Sequence, residues 1–136
     1  MRRGTIKGAL GRYDRELMKE YLVISTSVEL VRTPSEGVIY ITSDGNYSTF
    51  MLTSGTTYTI ALQLGQVERL LDKQLARTGS DFIRIGKSLI INRHYITYIN
   101  PSRQQLTLSD GRSSHNQTAS KEALKQLKDL IDKDLK

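Results

Sequence analysis

A chain of 136 residues, 38% hydrophobic and 25% charged, has the size and texture of one folded domain with a modest core. It has no cysteine, which excludes disulfides, zinc-thiolate sites and cysteine nucleophiles and fits a reducing cytosol. No apolar run reaches membrane-spanning length, and the opening MRRGTIKGAL lacks the apolar stretch of a secretory signal. A cytoplasmic chain with no membrane partner is therefore expected, and the net charge of +6 favours an anionic one.

Residues 1–19 lack a strong apolar period and read as a basic N-terminal arm, with a short helix open from Asp14 to Tyr21. From Tyr21 the texture becomes β-like. Tyr21–Ser25 and Val28–Arg32 are short runs, Pro34-Ser35-Glu36-Gly37 is a turn, and Val38–Thr42 follows. Asp44-Gly45-Asn46 is a strong hairpin signal leading into Tyr47–Thr53. Ser54-Gly55 turns the chain again before Thr57–Leu62, so the first half reads as an antiparallel meander.

The period then changes. Leu64, Val67, Leu70, Leu71 and Leu75 fall at helical spacing, and Gly79 ends the unit. Phe82–Ile85 is a strand, and Leu89-Ile90-Ile91 is an apolar triplet open between strand and helix. Tyr95–Asn100 and Gln105–Ser109 alternate as strands, Asp110-Gly111 turns, and Arg112–Gln117 forms a polar last strand. Ser120 or Thr118 caps a final helix with Leu124, Leu127, Leu130, Ile131 and Leu135 on its core face.

Between Phe82 and Ser109 the chain carries Arg84, Lys87, Arg93 and Arg103 and no acid, which marks this stretch as a candidate for phosphate contact. His94 and His115, the only histidines, sit in no metal-ligand or triad pattern. The first reads as a loop or packing residue, the second as an exposed strand residue. No phosphate-binding or dinucleotide-binding glycine pattern occurs, so neither an enzyme nor a cofactor is expected.

The stretch FIRIGKSLIINRHYITYINPSRQQLTLSDG resembles the signature half of the LytTR family of DNA-binding domains. The resemblance is carried by Phe82, Arg84, Ser88, Leu89-Ile90-Ile91, Asn92, Ile96, Ile99, Leu106, Leu108 and Asp110-Gly111. Val38-Ile39-Tyr40-Ile41 with Gly45-Asn46-Tyr47 is similar to the family's first hairpin, and the Leu64–Leu75 helix stands between the two halves. The resemblance spans about residues 21–131. It implies a mainly β fold, with small antiparallel sheets, one short central helix and a C-terminal helix, over residues 20–136. It also implies a bacterial transcription regulator that reads double-stranded DNA with loops rather than with a recognition helix.

Three contact regions carry over by position: Asn46 beside Tyr47, Lys87-Ser88, and Thr118 with Lys121. Gly86-Lys87 stands where many members have His-Arg or His-Asn, and Gln117-Thr118-Ala119 lacks the usual base. The resemblance further implies repeated DNA sites, a homodimer on them, and a regulatory protein partner.

The residues themselves suit those roles. Gly86 lets backbone approach a duplex. Ser88 offers a hydroxyl and an amide to a phosphate. The Asn46 amide suits adenine, worth ~1–3 kcal/mol of discrimination. Arg93 suits a phosphate, and Lys87 either a phosphate or guanine. Structural roles compete: Asn46 as a turn former tolerating positive φ, Ser88 as a turn cap, Asn92 as a side-chain-to-backbone bridge. Two other functions stay open at this level. One is a non-catalytic protein-interaction module on the same scaffold. The other is single-stranded nucleic-acid binding through Tyr40, Tyr47, Tyr58, Tyr95 and Tyr98.

Overall fold

The computed structural model describes residues 19–135. They form β1 (Tyr21–Ser25), β2 (Leu30–Pro34), β3 (Val38–Ser43), β4 (Ser48–Leu52), β5 (Thr57–Ile60), α1 (Leu64–Gln74), β6 (Phe82–Ile85), β7 (Leu89–Asn92), β8 (Ile96–Asn100), β9 (Gln105–Ser109), β10 (Ser114–Thr118) and α2 (Lys121–Asp134). The fold is mainly β, with a short central helix and a C-terminal one, as the sequence implied. The arm expected over residues 1–19 lies outside the described residues apart from Lys19, and Tyr21 opens a strand.

The meander expected from Tyr21 to Leu62 is split. β1 and β2 form a separate two-stranded sheet, whereas β3 to β5 enter a five-stranded sheet of order β5-β4-β3-β7-β6. The reason lies in β3. Val38, Ile39, Tyr40 and Ile41 are all buried, and a strand covered on both faces belongs at the centre of a sheet. Its second edge is taken by β7, with Ile41 opposite Ile90, so the triplet open between helix and strand is a strand. A register shift between Val38 and Tyr40 turns Ile39 and Tyr40 toward the same face.

Two cores result. On one face Val38, Ile41, Phe50, Ile60 and Ile90 pack with α1 and with Leu22, Ile24 and Val31 of the small sheet. On the other, Ile39, Tyr40, Ile85, Leu89 and Ile91 meet Leu106 and Leu108 of the third sheet (β10-β9-β8) and Leu124 and Leu127 of α2. Each such aliphatic side chain, fully buried, contributes roughly 1.5–3 kcal/mol before entropy is counted.

α1 buries Leu64, Val67 and Leu71, and Leu75 follows at its end. The Gln74 amide bonds both the N–H (2.7 Å) and the carbonyl (2.8 Å) of Val23, closing an otherwise open edge of β1. The stripe on α2 is shorter than its sequence suggests. Leu124 and Leu127 are buried and Ile131 partly so, but Leu130 is 40% exposed and Leu135 80%, because the cluster receiving the helix ends there. Val28, expected in a strand, is exposed in the β1–β2 turn, where the Thr26 hydroxyl accepts its amide.

After α1, the Glu20 carboxylate accepts the amides of Arg77 and Thr78 and the Thr78 hydroxyl, the last at 2.7 Å. Desolvation raises the Glu20 pKa, but the Thr78 and Arg77 hydrogen bonds together outweigh it and hold the group below its ordinary 4.5. A depressed folded-state pKa gives stability that is present above the unfolded value and lost as pH falls through the folded one. Glu20→Gln is therefore expected to lower the urea midpoint at pH 7 and to flatten its decline below about pH 4.5. Parallel titrations of the two proteins check this; equal acid slopes would refute it.

Candidate nucleic-acid interface

The β3–β4 turn is built on Asp44, whose carboxylate accepts the amides of Asn46 (3.1 Å) and Tyr47 (2.9 Å). Gly45 takes the left-handed conformation, φ 109°, that the sequence left open for Asn46. The Asn46 side chain is thus not consumed by the turn. It is exposed, as is Tyr47, and has no partner among the described residues.

The β6–β7 turn is held from inside. Arg84 donates through Nε to the Gly86 carbonyl (3.1 Å), through one terminal nitrogen to the Lys87 carbonyl (3.3 Å), and through the other to Glu68 of α1 (3.0 Å). With these carbonyls drawn inward, Lys87 and Ser88 are left exposed. No cap by the Ser88 side chain is seen among the described residues; its carbonyl instead accepts the Ser43 amide at 2.9 Å. That bond sets the two turns side by side at one end of the five-stranded sheet. The sequence marked Arg84 as a motif residue and as one of four cations suited to phosphate, but its guanidinium is engaged by two carbonyls and Glu68. Its clamping role depends on strand register and on α1 lying beside β6.

The third region reaches the same end by a different route. α2 lies beside β6 across a groove lined by Ile83, Ile85 and Gly86 on one side and Ala123, Leu127 and Leu130 on the other. Its C-terminal Asp134 pairs with Arg93, at the far end of β7. The helix therefore points its N-terminal turn toward Gly86. Ser120 caps that turn by accepting the Ala123 amide, and Lys121 follows, exposed. Thr118 ends β10, opposite Gln105. Asn46, Tyr47, Lys87, Ser88, Thr118 and Lys121 thus share one pole.

Arg93 does not. The full length of β7 separates it from Lys87, and Asp134 holds it. Asn92, 2% exposed, is the side-chain-to-backbone bridge expected: its amide donates to the Val38 carbonyl at 3.0 Å and accepts the His94 N–H at 3.1 Å. His115 is half-buried rather than exposed, packed edge-on against Tyr40 with ring centroids 5.4 Å apart. Burial pushes the Tyr40 phenol up, partly offset by its hydrogen bond with Gln117. With Tyr40 buried, Tyr95 donating to the Glu36 carbonyl, and Tyr58 and Tyr98 in separate sheets, these tyrosines form no continuous stacking surface among the described residues.

Lys87 and Lys121 form no ion pair among the described residues; the acids at this end are Asp44, whose carboxylate accepts amides of its own turn, and Glu122 in the first turn of α2. α1 also starts at this end: it follows β5, whose Ile60 pairs with Ser48, and the Ser48 hydroxyl donates to the Leu62 carbonyl. Both helices thus direct positive dipole ends, about half a charge each, toward the pole. No group of three or more potential metal-ligating side chains occurs among the described residues, and none of their helices is long and apolar enough to cross a membrane.

Small antiparallel sheets, with stapled, cation-bearing turns gathered at one end, place the chain in the class of β-scaffold domains. A family model described as the LytTr DNA-binding domain matches residues 29–132, and the chain belongs to that family, whose members are non-catalytic. Among solved structures, the LytTr DNA-binding domain of a protein described as a methyl-accepting/DNA response regulator from Bacillus cereus shares the fold, with a TM-score of 0.57. The identity is 23%, over 83% of this chain and 97% of that one. No curated protein matches at a significant level.

Proposed function

We propose that residues 20–136 form the DNA-reading domain of a bacterial transcription regulator. It binds double-stranded DNA sequence-specifically through Asn46-Tyr47, Lys87-Ser88 and the Thr118–Lys121 segment. The observation that carries this reading is the Ser43–Ser88 hydrogen bond. It aligns a turn with an uncommitted amide beside a turn with an unpaired cation, and the α2 N-terminus joins them. Amide groups read base edges, and cations with backbone N–H groups hold phosphates. Arg93 is left out of the surface because its charge is spent on Asp134. Two copies on repeated sites, with input from a regulatory protein, complete the proposal.

Selection from a random duplex library at two salt concentrations tests it. A defined site should emerge, and with ~4–6 phosphate contacts log K should fall against log salt with a slope near −4 to −5. Weak binding without sequence preference would overturn it in favour of a protein-interaction module. Asn46→Ala should lower affinity for the selected site roughly 5- to 150-fold, by ~1–3 kcal/mol, while unrelated duplexes bind as before. Equal losses on both kinds of duplex would remove Asn46 from base reading.

A further inference from the structure

A further unpaired cation sits at the same pole, outside the three regions above. The β8–β9 turn, Pro101 to Gln104, lies at the end of the third sheet where Thr118 pairs with Gln105. The Gln104 side-chain amide donates to the Ala119 carbonyl at 3.4 Å, fastening this turn to the segment that leads into α2. That segment, Thr118-Ala119-Ser120, carries no charge of its own.

The turn is set in one shape. The Asn100 carboxamide oxygen accepts the Arg103 amide at 3.1 Å, and the Gln104 amide donates to the Pro101 carbonyl at 3.0 Å. Gln104 adopts φ 54°, the only described non-glycine residue in the left-handed region. That conformation closes the hairpin loop between Asn100 and Gln105. Its effect is to present Arg103 from a fixed backbone. Arg103 is exposed and has no side-chain partner among the described residues.

We infer that Arg103 makes a fourth DNA contact, donating its guanidinium to a backbone phosphate beside the Thr118–Lys121 segment. This deepens the DNA-binding reading and rests on it. A planar, permanently charged fork suits a phosphate in either one- or two-oxygen geometry. With Lys87 and Lys121 it spreads three cations over turns from two sheets and one helix, matching a phosphate track rather than a point anion.

The experiment measures binding of the full chain to the library-selected duplex and to an unrelated duplex, from about 50 to 200 mM salt. Arg103→Gln should weaken both by the same factor, roughly 5- to 10-fold at low salt, and reduce the steepness of the log–log slope by about 0.9. Arg103→Lys should restore the slope. Lys73→Gln, removing a cation from the last turn of α1, should leave both affinity and slope as they were. An unchanged slope in Arg103→Gln, loss confined to the selected duplex, or loss tracking a fall in melting temperature without rescue by lysine would each overturn the inference. In those cases duplex binding by the parent protein would still stand. Failure of the parent protein to bind any duplex would overturn both readings.

Discussion

Lys87→Glu is expected to abolish useful affinity for the selected duplex. Loss of a charge-assisted contact costs about 1.5–3 kcal/mol, and placing a carboxylate against a phosphate adds repulsion. The total of about 3 kcal/mol or more corresponds to roughly a 100-fold weaker complex. Lys87→Ala should show the milder half of this, roughly 10-fold, with the salt slope shallower by about 0.9. Neither change should touch the fold, since the Lys87 side chain is exposed and only its carbonyl is engaged, by Arg84. Fluorescence anisotropy titrations with parallel thermal melts check both halves. Undiminished binding by Lys87→Glu would remove the β6–β7 turn from the interface.

Asn92→Ala should be the most damaging polar substitution for stability. It strips the donor from the buried Val38 carbonyl and the acceptor from the His94 amide, at a cost of about 2–3 kcal/mol. Asn92→Asp should be worse at pH 7, because it keeps the acceptor but buries a charge where a donor is required. The sign of its pH dependence follows. Burial raises the folded-state pKa of such an aspartate, so its penalty is full at neutral pH and eases as acid protonates it into a donor. Urea denaturation at pH 7 and pH 5 measures the difference. A variant equally stable at both pH values would contradict the buried-bridge geometry.

The elements of the fold were legible where periodicity is unambiguous. The α1 stripe from Leu64 to Leu75 and the hairpins marked by Asp44-Gly45 and Asp110-Gly111 stand where the sequence placed them. What single-strand patterns could not show was partnership. Leu89-Ile90-Ile91 is apolar throughout because β7 is covered on both faces, and that same uniformity hid its state. The β1–β2 pair looked continuous with β3 because turn residues mark a reversal and not which sheet follows it.

For the surface, residue type and resemblance placed Asn46, Lys87, Ser88, Thr118 and Lys121 together without knowing how. The sheet end and the direction of α2 supply the reason. Arg93 appeared equivalent to Lys87 because both are cations flanking one apolar triplet. A strand, however, sends its two flanks to opposite ends, and only one faces the pole. Arg103 stood out only as one of four cations in an acid-free stretch: it is sixteen positions beyond Lys87 in sequence and in another sheet, and only the fold brings it to the same pole.

The direction of α2 also bears on how two such domains would measure DNA. Glu20 is fastened to Thr78 near the start of β6, and Asp134 is held by Arg93 at the end of β7, so both ends of the described chain emerge opposite the turns. If the turns read DNA as proposed, anything tethered at either end would be kept a sheet's length from the duplex and would not compete with it for the turns. Two heads joined there would behave like the points of a pair of dividers. Each point would recognise its own mark, while the distance between marks would be set at the hinge, by whatever connects the heads. Half-site sequence and half-site spacing would then be separately adjustable, the first in the turns and the second in the tether.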